Sequence, residues 1–115
     1  MPGKSVGFPL ALSLLSNKAR TITLLLLREN DGTVRLSEVV AVLEDEYAEE
    51  EPNAESFVQS LTRHQVIHTL EKYEWISFDE DEEVLHLQQY PNFVDKVLDA
   101  AVSDGVISEE EMLIS

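Results

Sequence analysis

These 115 residues contain no cysteine, which excludes disulfide staples and thiolate metal sites and leaves the redox compartment open. Cations are scarce too: 8 lysines and arginines stand against 23 aspartates and glutamates, a formal charge of −15. Long apolar runs are also missing. None approaches the roughly 18–20 residues that span a bilayer, so the expectation is a soluble, cytoplasmic chain without a membrane partner. Lys4 ahead of the apolar residues 6–15 has the outline of a secretory signal. Pro9 interrupts it, no small-x-small cleavage site follows, and a second apolar run at residues 24–27 comes soon after. It reads as a structural segment.

What is present is enough apolar material to fold. Hydrophobic residues make up 43% of the chain, too many for disorder, and the length suits one domain with a modest core. Residues 10–88 read as its body and 91–115 as a C-terminal helical extension. The acidic charge has three explanations: a basic partner, an acidic tail, or a surface adapted to very salty solvent. The acids are spread over residues 44–55, 71–83 and 95–111 and lysine is scarce throughout, which favours the salty solvent. Near 1 M salt the Debye length shrinks to about 3 Å and self-repulsion is largely screened.

Along the chain, residues 10–15 form a short helical segment, and Asn17 is placed to cap a helix over residues 18–28. Asn30, Asp31 and Gly32 supply turn chemistry before a short β-prone stretch, residues 33–36. Ser37 is the expected cap of the next helix, with Val39, Val40, Leu43 and Tyr47 at helical spacing and Pro52 beyond its end. Asn53 caps a long helix reaching to about residue 73. Its apolar stripe is split: Phe57, Val58 and Leu61 lie on one side, and Val66, Ile67, Leu70 and Tyr73 on another. That predicts a bend near residues 62–64 or a change of neighbours. Residues 75–78 and 84–87 read as a hairpin around the tip Asp79-Glu80-Asp81-Glu82-Glu83. An amphipathic helix follows over residues 92–103, and Gly105 with a capping box from Ser108 to Glu111 ends the pattern.

This order, mainly α with a small β-hairpin (α+β), is that of a winged helix-turn-helix with an added amphipathic C-terminal helix. The residues themselves are familiar. LLSNKARTITLLLLRENDGTVRLSEVVAVL, residues 14–43, resembles the opening of a haloarchaeal family of small winged-helix domains of uncharacterised function. RHQVIHTLEKYEWISFD, residues 63–79, is similar to that family's histidine-rich segment and its turn into the wing. The resemblance spans about two-thirds of the chain. It implies a winged-helix fold and a presumption of DNA binding; the acidic composition points to an archaeal or archaeal-virus source. The departures bear on DNA binding: Val66 stands where a second histidine is usual, His68 replaces a proline, and Glu74 replaces the glycine of the turn. The first helix offers only Lys18 and Arg20 where relatives often carry three or four arginines.

The expected function is therefore transcriptional regulation through double-stranded DNA, by a homodimer in a high-salt cytoplasm. Gln59, Ser60, Thr62, Arg63, Gln65 and Thr69 are the base-reading candidates, with Arg63 suited to bidentate contact with guanine. Lys18, Arg20, Arg35 and Lys72 are the phosphate candidates. Phe93, Val94, Val97, Leu98 and Ala101 make the expected dimer face, aided by Leu12 and Leu15. The acidic tip has the wrong sign for a minor groove and is expected to stay out of it. The other reading is a winged-helix protein–protein interaction module without DNA contacts.

Other chemistries are poorly served. His64, His68 and Glu71 share a helical face, but no HExxH motif accompanies them, so no metal is expected. Residues 103–111 end like a calcium loop, yet Ala100 and Val102 would fill two ligand positions. No glycine-rich phosphate loop and no nucleophile with a base motif is present. Neither an enzyme, a cofactor nor a small-molecule ligand is expected.

Overall fold

A computed structural model describes residues 7–103. The expected stop at Gly105 and the capping box after it lie outside the described residues. The chain is mainly helical with a small antiparallel sheet. Its elements are α1 (Phe8–Leu15), α2 (Lys18–Glu29), β1 (Thr33–Arg35), α3 (Leu36–Tyr47), α4 (residues 54–72), β2 (Ile76–Asp79), β3 (Val84–Leu87) and α5 (Phe93–Ser103).

Helix α2 is the centre. Ala19 and every residue from Thr21 to Leu27 are buried. A helix apolar on all sides has to be surrounded, and α2 packs against α1, α3, the middle of α4, β1, β3 and α5. Its buried threonines satisfy themselves locally, the Thr23 hydroxyl donating to the Ala19 carbonyl at 2.8 Å. Asn17 caps it as expected, accepting from the Arg20 N–H at 3.1 Å. The corner with α1, bent by 90°, is made of side chains that serve carbonyls α1 cannot bond internally. Ser16 donates to Ser13 O, Arg20 Nη1 to Leu14 O and the Thr21 hydroxyl to Leu15 O. No single helix among the described residues is long and apolar enough to cross a membrane.

The turn after α2 takes two left-handed residues, Asp31 at φ 60° and Gly32 at φ 86°. The Gly32 N–H closes on the Leu27 carbonyl at 2.7 Å. Helix α3 starts two residues earlier than the sequence suggested. Ser37 lies inside it, Arg35 holds the cap position, and the Glu38 carboxylate accepts the Arg35 N–H at 3.0 Å. A carboxylate in the first turn does what the serine was expected to do.

The split stripe of α4 has a definite cause. Ala54–Leu61 is α-helical, Thr62–Ile67 is a π-helix, and His68–Lys72 is α-helical again. Its widened turn is closed by the His68 N–H on the Arg63 carbonyl, five residues back. The buried row is Val58, Thr62, Val66 and Leu70, a spacing of four. On a straight α-helix such a row drifts by roughly 40° per step. One extra residue in a turn takes up that drift, so both halves of the stripe face α2 and its neighbours.

Three strands pair, not two. The sheet order is β1-β3-β2, all antiparallel, with Val34 opposite Leu85 and Phe78 opposite Leu85 on the other side. β2 is an edge strand, and its outward Phe78 N–H is taken by the Glu71 carboxylate of α4 at 3.1 Å. Trp75 is fully buried ahead of β2, and the Tyr90 ring meets it edge-on at 5.9 Å.

Helix α5 is docked on α2. Val94 and Leu98 are fully buried there. Arg28, in the last turn of α2, pairs with Asp99 at 3.0 Å and Asp95 at 3.4 Å, and the Tyr90 hydroxyl donates to Asp95 at 2.6 Å.

Candidate nucleic-acid interface

The outward side of α4 is polar. Gln59, Ser60, Arg63, His64 and Gln65 are exposed in succession, with Lys72 further on and Thr69 half-buried. Thr62 is not among them. It is fully buried on the inner row of the wide turn, and its hydroxyl has no hydrogen-bond partner among the described residues. Thr62 therefore cannot read bases: four residues from both Val58 and Val66, it lies on the buried side of the helix.

A groove runs between α3, the exposed side of α4 and the hairpin tip. Arg35, Ser37, Gln59 and Arg63 line it together with Glu44, Glu82 and Glu83. The tip is not held away from it. Asp79 folds the loop by accepting the N–H groups of Asp81 and Glu82. Glu83, left-handed at φ 54°, gives its carbonyl to the Leu36 N–H at 2.8 Å. Its carboxylate reaches Arg63 at 3.6 Å. Glu83 thus adjoins the polar side of α4, because the register of the hairpin sets it beside the start of α3. The groove's two arginines are matched against three glutamates.

The phosphate candidates divide. Arg35 is exposed and has no ion pair among the described residues; Lys72 is exposed, with its ammonium 5.6 Å from the Tyr73 ring centre. Lys18 is on another side, in a groove with Leu15, Thr21, Glu46, Val97 and Ala101 that contains no residue of α4 or the hairpin. It pairs with Glu46 at 3.0 Å, and this hydrogen bond raises its pKa. Arg20 is half-buried. Its Nε donates to the Gln65 carbonyl at 2.7 Å, and burial lowers its pKa. Neither Lys18 nor Arg20 is placed to meet phosphates along α4, the one because α3 claims it, the other because two backbone carbonyls do.

Of the expected dimer face, Val94 and Leu98 belong to the chain's own core, since α5 presents that row to α2. Phe93, Val97 and Ala101 are half-buried at its margin, and Leu10 and Leu12 are exposed on α1. His86 contacts the Thr33 hydroxyl at 3.3 Å across the sheet, whereas His64 and His68 are exposed on α4. No group of three or more potential metal ligands occurs among the described residues.

Two participants were not read from the sequence. Arg28 as the anchor of α5 could have been suspected from a lone cation in the last turn of an otherwise apolar helix. Glu44, on the groove side of α3, gave no signal among so many carboxylates. Comparison with family models, with curated proteins and with solved structures found no match.

Proposed function

We propose that this chain is a winged-helix DNA-binding protein, a transcriptional regulator acting as a homodimer in a high-salt cytoplasm, with no catalytic activity. The observation that carries the reading is the placement of α4. Its polar side, with Gln59, Ser60, Arg63 and Gln65 exposed, lies beside a hairpin that closes a three-stranded sheet, on a helical body built round α2. A helix of that kind enters a major groove, and the hairpin is the wing. Arg63 offers a fork for guanine, while Arg35 and Lys72 supply phosphate contacts.

Salt decides whether this surface works. Arg63 and Glu83 are both more than half exposed, so their pair is weakened as the Debye length falls from about 10 Å at 0.1 M to about 3 Å at 1 M. The repulsion between the acidic tip and phosphate is screened by the same ions. Phe93, Val97 and Ala101, with Leu12 of α1, form the dimer contact.

The test is binding to labelled DNA from around the chain's own gene across 0.1 M to multimolar potassium chloride. A specific complex is expected in the molar range; no specific complex at any salt would remove the DNA reading. Light scattering in high salt should give the mass of two chains, and a monomer mass would remove the dimer.

A second reading, a winged-helix protein–protein interaction module, is favoured by one observation, the three glutamates against two arginines in the groove. Its signature is absence of a DNA complex together with retention of the chain by a basic protein partner.

A further inference from the structure

Arg20 occupies an unusual position for an arginine in a chain so short of cations. Its guanidinium is half-buried and spends its donors on main-chain oxygens of two other elements: Nε on Gln65 O at 2.7 Å, Nη1 on Leu14 O at 3.4 Å. Among the described residues it has no ion pair, although 23 acids are in the sequence. Gln65 lies inside the π-helical Thr62–Ile67. A π turn costs the helix its regular bonding and persists where its surroundings favour it. Here the surroundings are the buried row Val58, Thr62, Val66 and Leu70 on one side and the Arg20 donor on a carbonyl of the turn.

The consequence is one of angle. Residues before and after the wide turn are rotated relative to each other by about one residue's worth, roughly 100°, compared with a straight α-helix. Val66, Ile67 and Leu70 fix the later half against the core. The turn therefore dictates the direction in which Gln59 and Ser60 leave the earlier half and Arg63 leaves the turn itself. We infer that Arg20 is a positioning residue for sequence recognition: through the Gln65 carbonyl it holds the wide turn that aims Gln59, Ser60 and Arg63 at DNA. This rests on the DNA-binding reading for its functional half. Its structural half stands without DNA.

Two variants separate the roles. Arg20→Lys keeps the charge and loses the Nε–H; Arg20→Ala loses both. Without DNA, amide hydrogen exchange at His68, whose N–H closes the wide turn on Arg63 O, reports the turn. Both variants are expected to lose His68 protection relative to the amide of Leu26 in the core of α2. Unchanged relative protection in both overturns the inference, and Arg20→Lys keeps this arm readable if Arg20→Ala does not fold. With DNA, both variants are expected to lose about tenfold in preference for the specific site over a scrambled one, the scale of one charge-assisted hydrogen bond. The slope of log affinity against log salt should stay as in the parent. An Arg20→Ala slope reduced by about one with preference intact means a plain phosphate contact, and overturns it. If the parent protein binds no DNA, the functional reading has failed and the role in recognition with it. The exchange result then still decides whether Arg20 holds the turn.

Discussion

Glu74 sits at φ 62° in the tight turn between α4 and β2, where its N–H bonds the Glu71 carbonyl at 3.0 Å. A side chain in the left-handed region costs about 1–2 kcal/mol, part of which glycine gives back through its greater freedom when unfolded. Glu74→Gly should therefore stabilise the fold by roughly 0.5–1 kcal/mol, read as a raised midpoint in urea at constant salt. Gly32, at φ 86°, is the reverse case, a residue already matched to its conformation. Tyr90 supplies the pH dependence. Burial, and then the hydrogen bond to Asp95, push its phenol pKa up. A group whose folded value is raised gives its full contribution below its unfolded value, about 10, and loses it as pH climbs toward the folded one. Thermal unfolding followed from pH 8 to 11 should show stability falling above pH 10, with a shallower fall in Tyr90→Phe. An equally steep fall in the variant would mean that Tyr90 carries none of it.

Among the elements, α4 shows how far the sequence could be read. The two-sided stripe was visible in the spacing of Val58, Val66 and Leu70, but the wide turn was not, because bending, a change of neighbours and an extra residue all leave the same pattern. Thr62 lies four residues from both Val58 and Val66, so a polar residue expected outside is found inside. Strands β2 and β3 were legible within one residue at each end from their β-prone runs. That β1 would join them was not, since strand pairing is long-range and three residues carry little register information. Nor could spacing tell that Glu83 would return to Arg63; a side chain's reach across a loop depends on the turn's φ, and φ 54° is not written in a run of acids. The hairpin accordingly yields its own prediction. Glu83→Gln removes the partner of Arg63 and should raise DNA affinity several-fold at 0.2 M salt, and little at 2 M, where the pair is screened. Equal gains at both salts would mean that Glu83 acts otherwise than by holding Arg63.

For the whole molecule, charge is the governing quantity. Five carboxylates, on Glu29, Glu46, Glu83, Asp95 and Asp99, form ion pairs among the described residues, against 23 in the sequence. Salt weakens those few partly exposed pairs, each worth about 0–1 kcal/mol, and at the same time screens the repulsion of a net −15. The second effect should win, so the melting temperature is expected to climb steadily from 0.1 M to 2 M potassium chloride. A flat or falling profile would argue against a chain suited to salty solvent. This much was legible in composition alone. What composition could not tell is that half of the eight cations are committed: Lys18 to α3, Arg20 to backbone, Arg28 to α5 and Arg63 to the hairpin.

The same screening that relieves a crowded acidic surface also strips it of a common protection against self-association, since like charges at a sheet edge no longer repel neighbours across molar salt. The Glu71 carboxylate on the outward N–H of Phe78 acts by another means. It fills one donor that an incoming strand would need. Part of the edge of β2 is thus occupied by a hydrogen bond where like-charge repulsion no longer guards it.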